Sequence, residues 1–293
     1  MAAQTFHHTR SNSFPLPSRL SPLVSQIDEH LNRLKASNAT STSSAISHKL
    51  NGLQDLYDSV DKLLQLPFSQ LALVQEQHKE WVNELLDGSL RLLDLCSTAK
   101  DVVLQTKENA HEIQSVLRRR RSGELELVGE VKRYFISRKV LQKTIHKALR
   151  NLNGLETNRV FSSSDDHETT AMVSLLREVE QVTSSTLEYL LSMISGPKEQ
   201  SKPGSWLVSK LLHHKRTACE QAGRDINEFE KVDASLRLLV NQKMSRSENI
   251  INIEMQNQLK DLELCTQDFE DGLECLFRCM IKARVFLLNT LNP

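Results

Sequence analysis

The feature that most limits what this chain can fold into lies near its C-terminal end, where apolar side chains recur at alternating steps of three and four. Leu259, Leu262, Phe269, Leu273, Leu276, Met280, Ala283 and Leu287 keep one frame, and Thr266 is the polar member of it. At 3.6 residues per turn those steps return to one face, so the stripe is buried only when the segment is a helix lying along other helices. One long bundle helix is predicted from Ile250 onward, and it requires partners.

The same spacing recurs upstream. Heptads serve intramolecular bundles and dimers alike, so the partner helices belong to this chain or to a second copy. Leu53, Leu56, Val60 and Leu63, widened by Leu50 and Leu64, form a stripe that starts near Ile46 and is broken by Pro67. Trp81, Leu85, Leu92, Leu95, Ala99, Val102, Ile113 and Val116 share a frame interrupted by Gly88, Thr106 and Asn109. A helix unbroken from Leu71 to Leu117 would reach roughly 70 Å at 1.5 Å per residue, with Gly88 and Ser89 the expected place for a kink. Tyr134, Leu141, Ile145, Ala148 and Leu152 continue the pattern up to the stop signal Asn153-Gly154. Asp165 and Asp166 are placed to cap a helix carrying Met172, Leu175, Leu176, Val179, Val182, Leu187 and Leu190, which Gly196 and Pro197 end. Ser21 and Pro22 open the first helix, with Leu23, Ile27, Leu31 and Leu34 on one face, and shorter helical signals occupy Trp206 to Val240.

Glycine (9) and proline (7) supply less than half the usual share of about 12%, and no segment alternates with period two between turn signals. The predicted fold is therefore all-α, an elongated helical bundle with long antiparallel coiled-coil-like helices. Residues 1–19 read as a disordered Ser/Arg/Pro-rich tail, and residues 20–293 as the helical domain, with interior linkers near 37–45, 155–165 and 196–204.

Several function classes are excluded or weakened on this basis. The formal net charge is zero, so no long-range field draws the whole molecule to nucleic acid or membrane, and any such attraction is local. No apolar run approaches the 18 or so residues of a membrane span, so the protein is expected not to be transmembrane. Five cysteines without a secretory start point to a reducing compartment. A cytoplasmic location is expected, with the nucleus, a membrane periphery or an organelle as alternatives. Import into an organelle would use the acid-free start before Asp28, although Pro15, Pro17 and Pro22 interrupt an amphipathic helix there.

Candidate chemistry is sparse. Cys275 and Cys279 share a helix face, but a metal site needs two further ligands, so packing is the reading adopted. Neighbouring histidines, as in His7-His8 and His213-His214, point about 100° apart and do not converge on one ion. Phosphate loops, nucleophile elbows and zinc-protease motifs are absent. No catalytic residue, metal or cofactor is assigned, and the chain is expected not to be an enzyme.

Two features suggest partners. Arg118, Arg119, Arg120 and Arg121 are followed by Lys132, Arg133, Arg138, Lys139, Lys143, Lys147 and Arg150 against Glu124, Glu126 and Glu130, a local excess of eight positive charges. This segment suits an anionic lipid surface, a nuclear-import receptor or a phosphate-bearing partner, unless acids from other helices meet it. Nucleic acid is disfavoured because only Tyr134 and Phe135 lie nearby for stacking. In the tail, Arg10, Ser11, Ser13 and Pro15 have the spacing R-S-x-S-x-P, which after phosphorylation of Ser13 suits the arginine cluster of fourteen-three-three proteins. Ser122, after four arginines, is a candidate second phosphorylation site, for a basophilic kinase, and its phosphate would partly neutralise the basic corner.

Four strings carry a resemblance: SHKLNGLQDLYDSVDKLLQLP from Ser47, WVNELLDGSLRLLDLCSTAKDVV from Trp81, LRRRR from Leu117 and GLECLFRCMIKARVFLLN from Gly272. Together with the RSNSFP start, they resemble the plant-specific family allied to the Bypass proteins, long catalogued as a domain of unknown function. The similarity extends from about Ser21 to the end. It implies a helical plant protein with a family-level association to root and shoot development and no established enzymatic activity, and some relatives are linked to membrane traffic; the function expected from the residues is that of an interaction or adaptor protein, with a peripheral membrane or trafficking factor as the alternative. It supplies no catalytic residues to carry over.

Overall fold

The computed structural model describes residues 20–36, 42–76, 78–119, 124–153, 167–196, 226–241 and 248–291. Eight helices account for nearly all of these: α1 Leu20–Ala36, α2 Ser43–Leu64, α3 Pro67–Gln75, α4 Glu80–Arg118, α5 Glu124–Asn153, α6 His167–Ser195, α7 Glu228–Asn241 and α8 Glu248–Leu291. No strand occurs among the described residues.

The predicted stripe of α8 is the axis of the bundle. Leu259, Leu262, Phe269, Leu273, Leu276, Met280 and Leu287 are all buried, and α8 packs along both α4 and α2. Cross-helix contacts give the directions. Lys100 reaches Glu274, Lys107 reaches Glu270 (2.6 Å), and Gln114 reaches Glu263 (3.2 Å), so α4 and α8 run antiparallel. Leu50 lies against Gly272 and Asp61 against Lys282 (2.9 Å), so α2 and α8 run parallel. Asn109 donates to Ser137 Oγ (2.8 Å), and α5 returns antiparallel to α4. Glu84 with Arg177 and Arg91 with Glu180 set α6 parallel to α4.

The polar interruptions of the two long stripes are satisfied locally. Thr106 Oγ1 donates to the Val102 carbonyl (2.7 Å) and Thr266 Oγ1 to the Leu262 carbonyl (2.9 Å), so neither hydroxyl is buried without an acceptor. Phe229 of α7 stacks on Phe269 of α8, with ring centroids 6.4 Å apart and planes 6° apart.

The termini and breaks differ in detail from the sequence expectation. Pro67 does end α2, and it also occupies the first turn of α3, where its missing N–H costs no hydrogen bond. The stretch expected to run from Leu71 to Leu117 is divided between α3 and α4. Within α4 the helix continues through Gly88 and Ser89. Gly88 allows a close approach: a Cβ there would lie 2.6 Å from the Glu180 carboxylate. The first helix starts at Leu20, placing Ser21 and Pro22 in its first turn, and Thr42 caps α2 through its hydroxyl. Gly196, at φ 73°, ends α6 in the left-handed conformation that the stop signal implied. The proposed caps Asp165 and Asp166 lie outside the described residues.

A one-sided cationic face on the outer helix

Arg118 and Arg119 close the end of α4 and are partly occupied there. Arg118 Nη2 donates to Gln114 Oε1 (3.4 Å), Arg119 Nη2 donates to Ser115 Oγ (2.9 Å), and Arg119 also approaches Glu126 at 3.9 Å. Arg120, Arg121 and Ser122 lie outside the described residues, as do Arg10, Ser11, Ser13 and Pro15 of the tail motif.

The bases of α5 fall into three groups. Arg133 pairs with Glu130 one turn back. Arg138 is not a surface charge: it is 3% exposed and its Nε donates to Asp233 Oδ2 of α7 at 3.1 Å. Tyr134 Oη donates to the other oxygen of Asp233 at 2.7 Å, and the Arg138 guanidinium lies over the Phe229 ring, 5.9 Å from its centroid. This buried knot fastens α7 to α5. Burial, reinforced by the Asp233 charge, holds the Tyr134 phenol well above its usual pKa. The sequence reading placed Arg138 within an undivided basic segment; its position four after Tyr134 and three before Leu141 puts it in the core stripe.

The third group faces outward. Lys132, Lys139, Lys143, Lys147 and Arg150 are exposed, and at 100° per residue they share an arc of roughly 100° with two aliphatic side chains, Ile136 and Val140. Ile136 is 65% exposed and Val140 58%. None of the four lysines has a carboxylate partner among the described residues. Residues 131–153 contain seven bases and no acid, so the rest of this neutral chain carries a matching acidic excess. Beside the arc, Phe135, Arg237 and Val240 join Lys132 and Ile136 in a shallow groove between α5 and α7, with the Arg237 guanidinium 5.5 Å from the Phe135 centroid.

The sequence reading identified the cations and missed Ile136 and Val140. Their spacing of four, opposite the buried positions Tyr134, Leu141 and Ile145, was the available signal.

Elsewhere the reactive side chains are muted. Burial pushes the Cys96 and Cys265 thiols up to about 12, and burial together with the neighbouring Cys275 raises that of Cys279. Among the described residues no three His, Cys, Asp or Glu side chains converge as metal ligands, and no helix is long and apolar enough to cross a membrane.

Fold and face together define a class of protein, a multi-helix bundle with an acid-free basic face on one outer helix. More narrowly, the chain belongs to the BPS1 family: the family described as Protein BPS1 matches residues 49–290, from α2 through α8. No match to the chain was found among curated proteins or among solved structures.

Proposed function

We propose that this chain is a non-enzymatic helical interaction protein of plant root and shoot development, and that the outer face of α5 is where it meets an anionic partner. The observation that carries the docking part is the arc of four lysines from Lys132 to Lys147 that meet no carboxylate among the described residues, whereas Lys35, Arg91, Lys100, Lys107, Arg177 and Lys282 each meet a carboxylate of a neighbouring helix. Membership of the BPS1 family and the resemblance to the Bypass proteins support the developmental part. The raised thiol and phenol groups favour the non-enzymatic reading, because burial holds them in their neutral, poorly nucleophilic forms. The tail motif Arg10, Ser11, Ser13 and Pro15 is a second docking element in this proposal, recognised after phosphorylation by fourteen-three-three proteins in the cytoplasm.

The test is genetic complementation. In a plant lacking the protein, the wild-type chain restores root and shoot growth, and a chain with Lys132, Lys139, Lys143 and Lys147 all changed to Glu does not, at equal abundance. Full rescue by that variant would remove the α5 face from the function. For the tail, Ser13→Ala is expected to abolish phosphatase-sensitive capture of fourteen-three-three proteins.

A further inference from the structure

We propose that the anionic partner of the α5 face is a phospholipid bilayer, so that the protein binds acidic membranes peripherally with α5 lying flat on the surface. This rests on the preceding reading that the face docks an anionic partner. Three features of the face select a bilayer over a protein or nucleic acid.

The first is shape. The arc runs along one side of a single outer helix from Lys132 to Arg150, about 27 Å at 1.5 Å per residue, and beyond the shallow groove that Lys132 and Ile136 border it is convex. A convex row of charges fits a plane, whereas a partner helix would seat in a groove and bring a stripe of three or four apolar anchors over two turns. Here the arc offers two, Ile136 and Val140.

The second is the kind of cation. Four of the five charges are lysines, compact charges on flexible stems that follow mobile headgroups, while the planar forks of arginine suit fixed carboxylates and phosphates. The one deeply buried arginine of α5, Arg138, makes such a fixed contact, with Asp233.

The third is the placing of the aliphatics. Ile136 and Val140 lie between Lys132 and Lys143 on the same arc, where they can enter the headgroup layer while the lysine stems lie along it. No exposed aromatic shares the arc, since Tyr134 is buried and Phe135 is turned to the groove with Arg237, so bases have no platform for stacking.

The binding predicted by this geometry is electrostatic, with a small apolar increment, and so is sensitive to salt. The experiment is cosedimentation of the full chain with vesicles of phosphatidylcholine containing 30% phosphatidylserine, against pure phosphatidylcholine, at about 0.05, 0.15 and 0.5 M NaCl. The wild type should pellet with the acidic vesicles at low salt, remain free with neutral ones, and be released at the highest salt. Changing Lys132, Lys139, Lys143 and Lys147 to Gln should lower partitioning on the order of several hundredfold, taking about fivefold per charge. Ile136→Ser with Val140→Ser should weaken it by a smaller factor, and Arg118→Ala with Arg119→Ala should leave it within about twofold. Circular dichroism of each variant separates lost binding from lost fold.

A poly-glutamate peptide and inorganic phosphate at matched ionic strength form the remaining arms. If the folded wild type ignores acidic vesicles and binds poly-glutamate through the same lysines, the bilayer proposal is overturned and anionic docking stands. Binding to neither overturns both. Release from vesicles by inorganic phosphate at constant ionic strength would show a free-phosphate site and overturn the bilayer proposal.

Discussion

The α4–α8 seam and the outer face of α5 use the same residue types to opposite ends. Along the seam, lysines at 100 and 107 reach Glu274 and Glu270 of the opposing helix, and the stripe threonines Thr106 and Thr266 bond to their own backbone. On α5, lysines at 132, 139, 143 and 147 meet no carboxylate among the described residues. The seam consumes its polar groups in holding two helices in register, and the face leaves them available to something outside. Charge in a sequence therefore says little until its neighbours across space are known; pairing, not abundance, separates scaffold from docking surface.

The contrast can be broken most severely at the seam. Phe269→Ala empties a fully buried ring position and unstacks Phe229, so a loss of about 3–5 kcal/mol is expected in denaturant unfolding, with α7 loosened as well. A loss below about 1 kcal/mol would mean that the axis of the bundle lies elsewhere.

Next in size is the knot between α5 and α7. Asp233→Ala strips the buried Arg138 of its carboxylate and should cost about 3 kcal/mol, whereas Arg138→Met should cost less, because Asp233 retains the Tyr134 hydroxyl. Equal losses in thermal unfolding would show that Arg138 is not the costlier group to leave unpaired.

Acid acts more gently. The hydrogen bond from Gln114, with His111 and Arg118 nearby, holds the Glu263 carboxyl below its ordinary pKa, and contact with Lys100 and Arg278 does the same for Glu274. A carboxyl depressed in the folded state stabilises the fold above its unfolded pKa and ceases to do so as pH falls through the folded value. The wild type should thus lose its advantage over a Glu263→Gln, Glu274→Gln variant between about pH 5 and pH 3, read as converging melting temperatures.

The smallest effect sharpens the comparison from the other side. Changing the four α5 lysines to Gln should alter stability by less than about 0.5 kcal/mol, because exposed charges without partners contribute little to folding. The contrast fails if the melting temperature drops as far as it does for Asp233→Ala.

Much of this architecture was legible from spacing alone, since the stripes of α2, α4, α5, α6 and α8 are local patterns that any burial must respect. Which stripes meet was not legible: a heptad specifies that a face is covered and leaves open by what. The close approach at Gly88 was not legible, because glycine signals both backbone freedom and tight packing, and the neighbour that makes it tight, Glu180, is distant in sequence. The separate α3 was missed because Pro67 was taken as a stop and not also as a start. The basic segment was legible as composition, but its division into the paired Arg133, the buried Arg138 and the outward-facing lysines required α7, whose Asp233 is distant in sequence.

The parallel contact between α2 and α8 has a consequence for how the chain is made. Asp61 waits for Lys282, 221 residues later, and Lys107 for Glu270, 163 residues later. During synthesis the stripes of α2 and α4 emerge long before their cover, and helices of this length hold apolar surface open to solvent for the tens of seconds that elongation takes at roughly 5–20 residues per second. Closure is therefore a late, long-range event, and an interrupted or shortened chain exposes an adhesive leucine surface instead of a smaller stable domain.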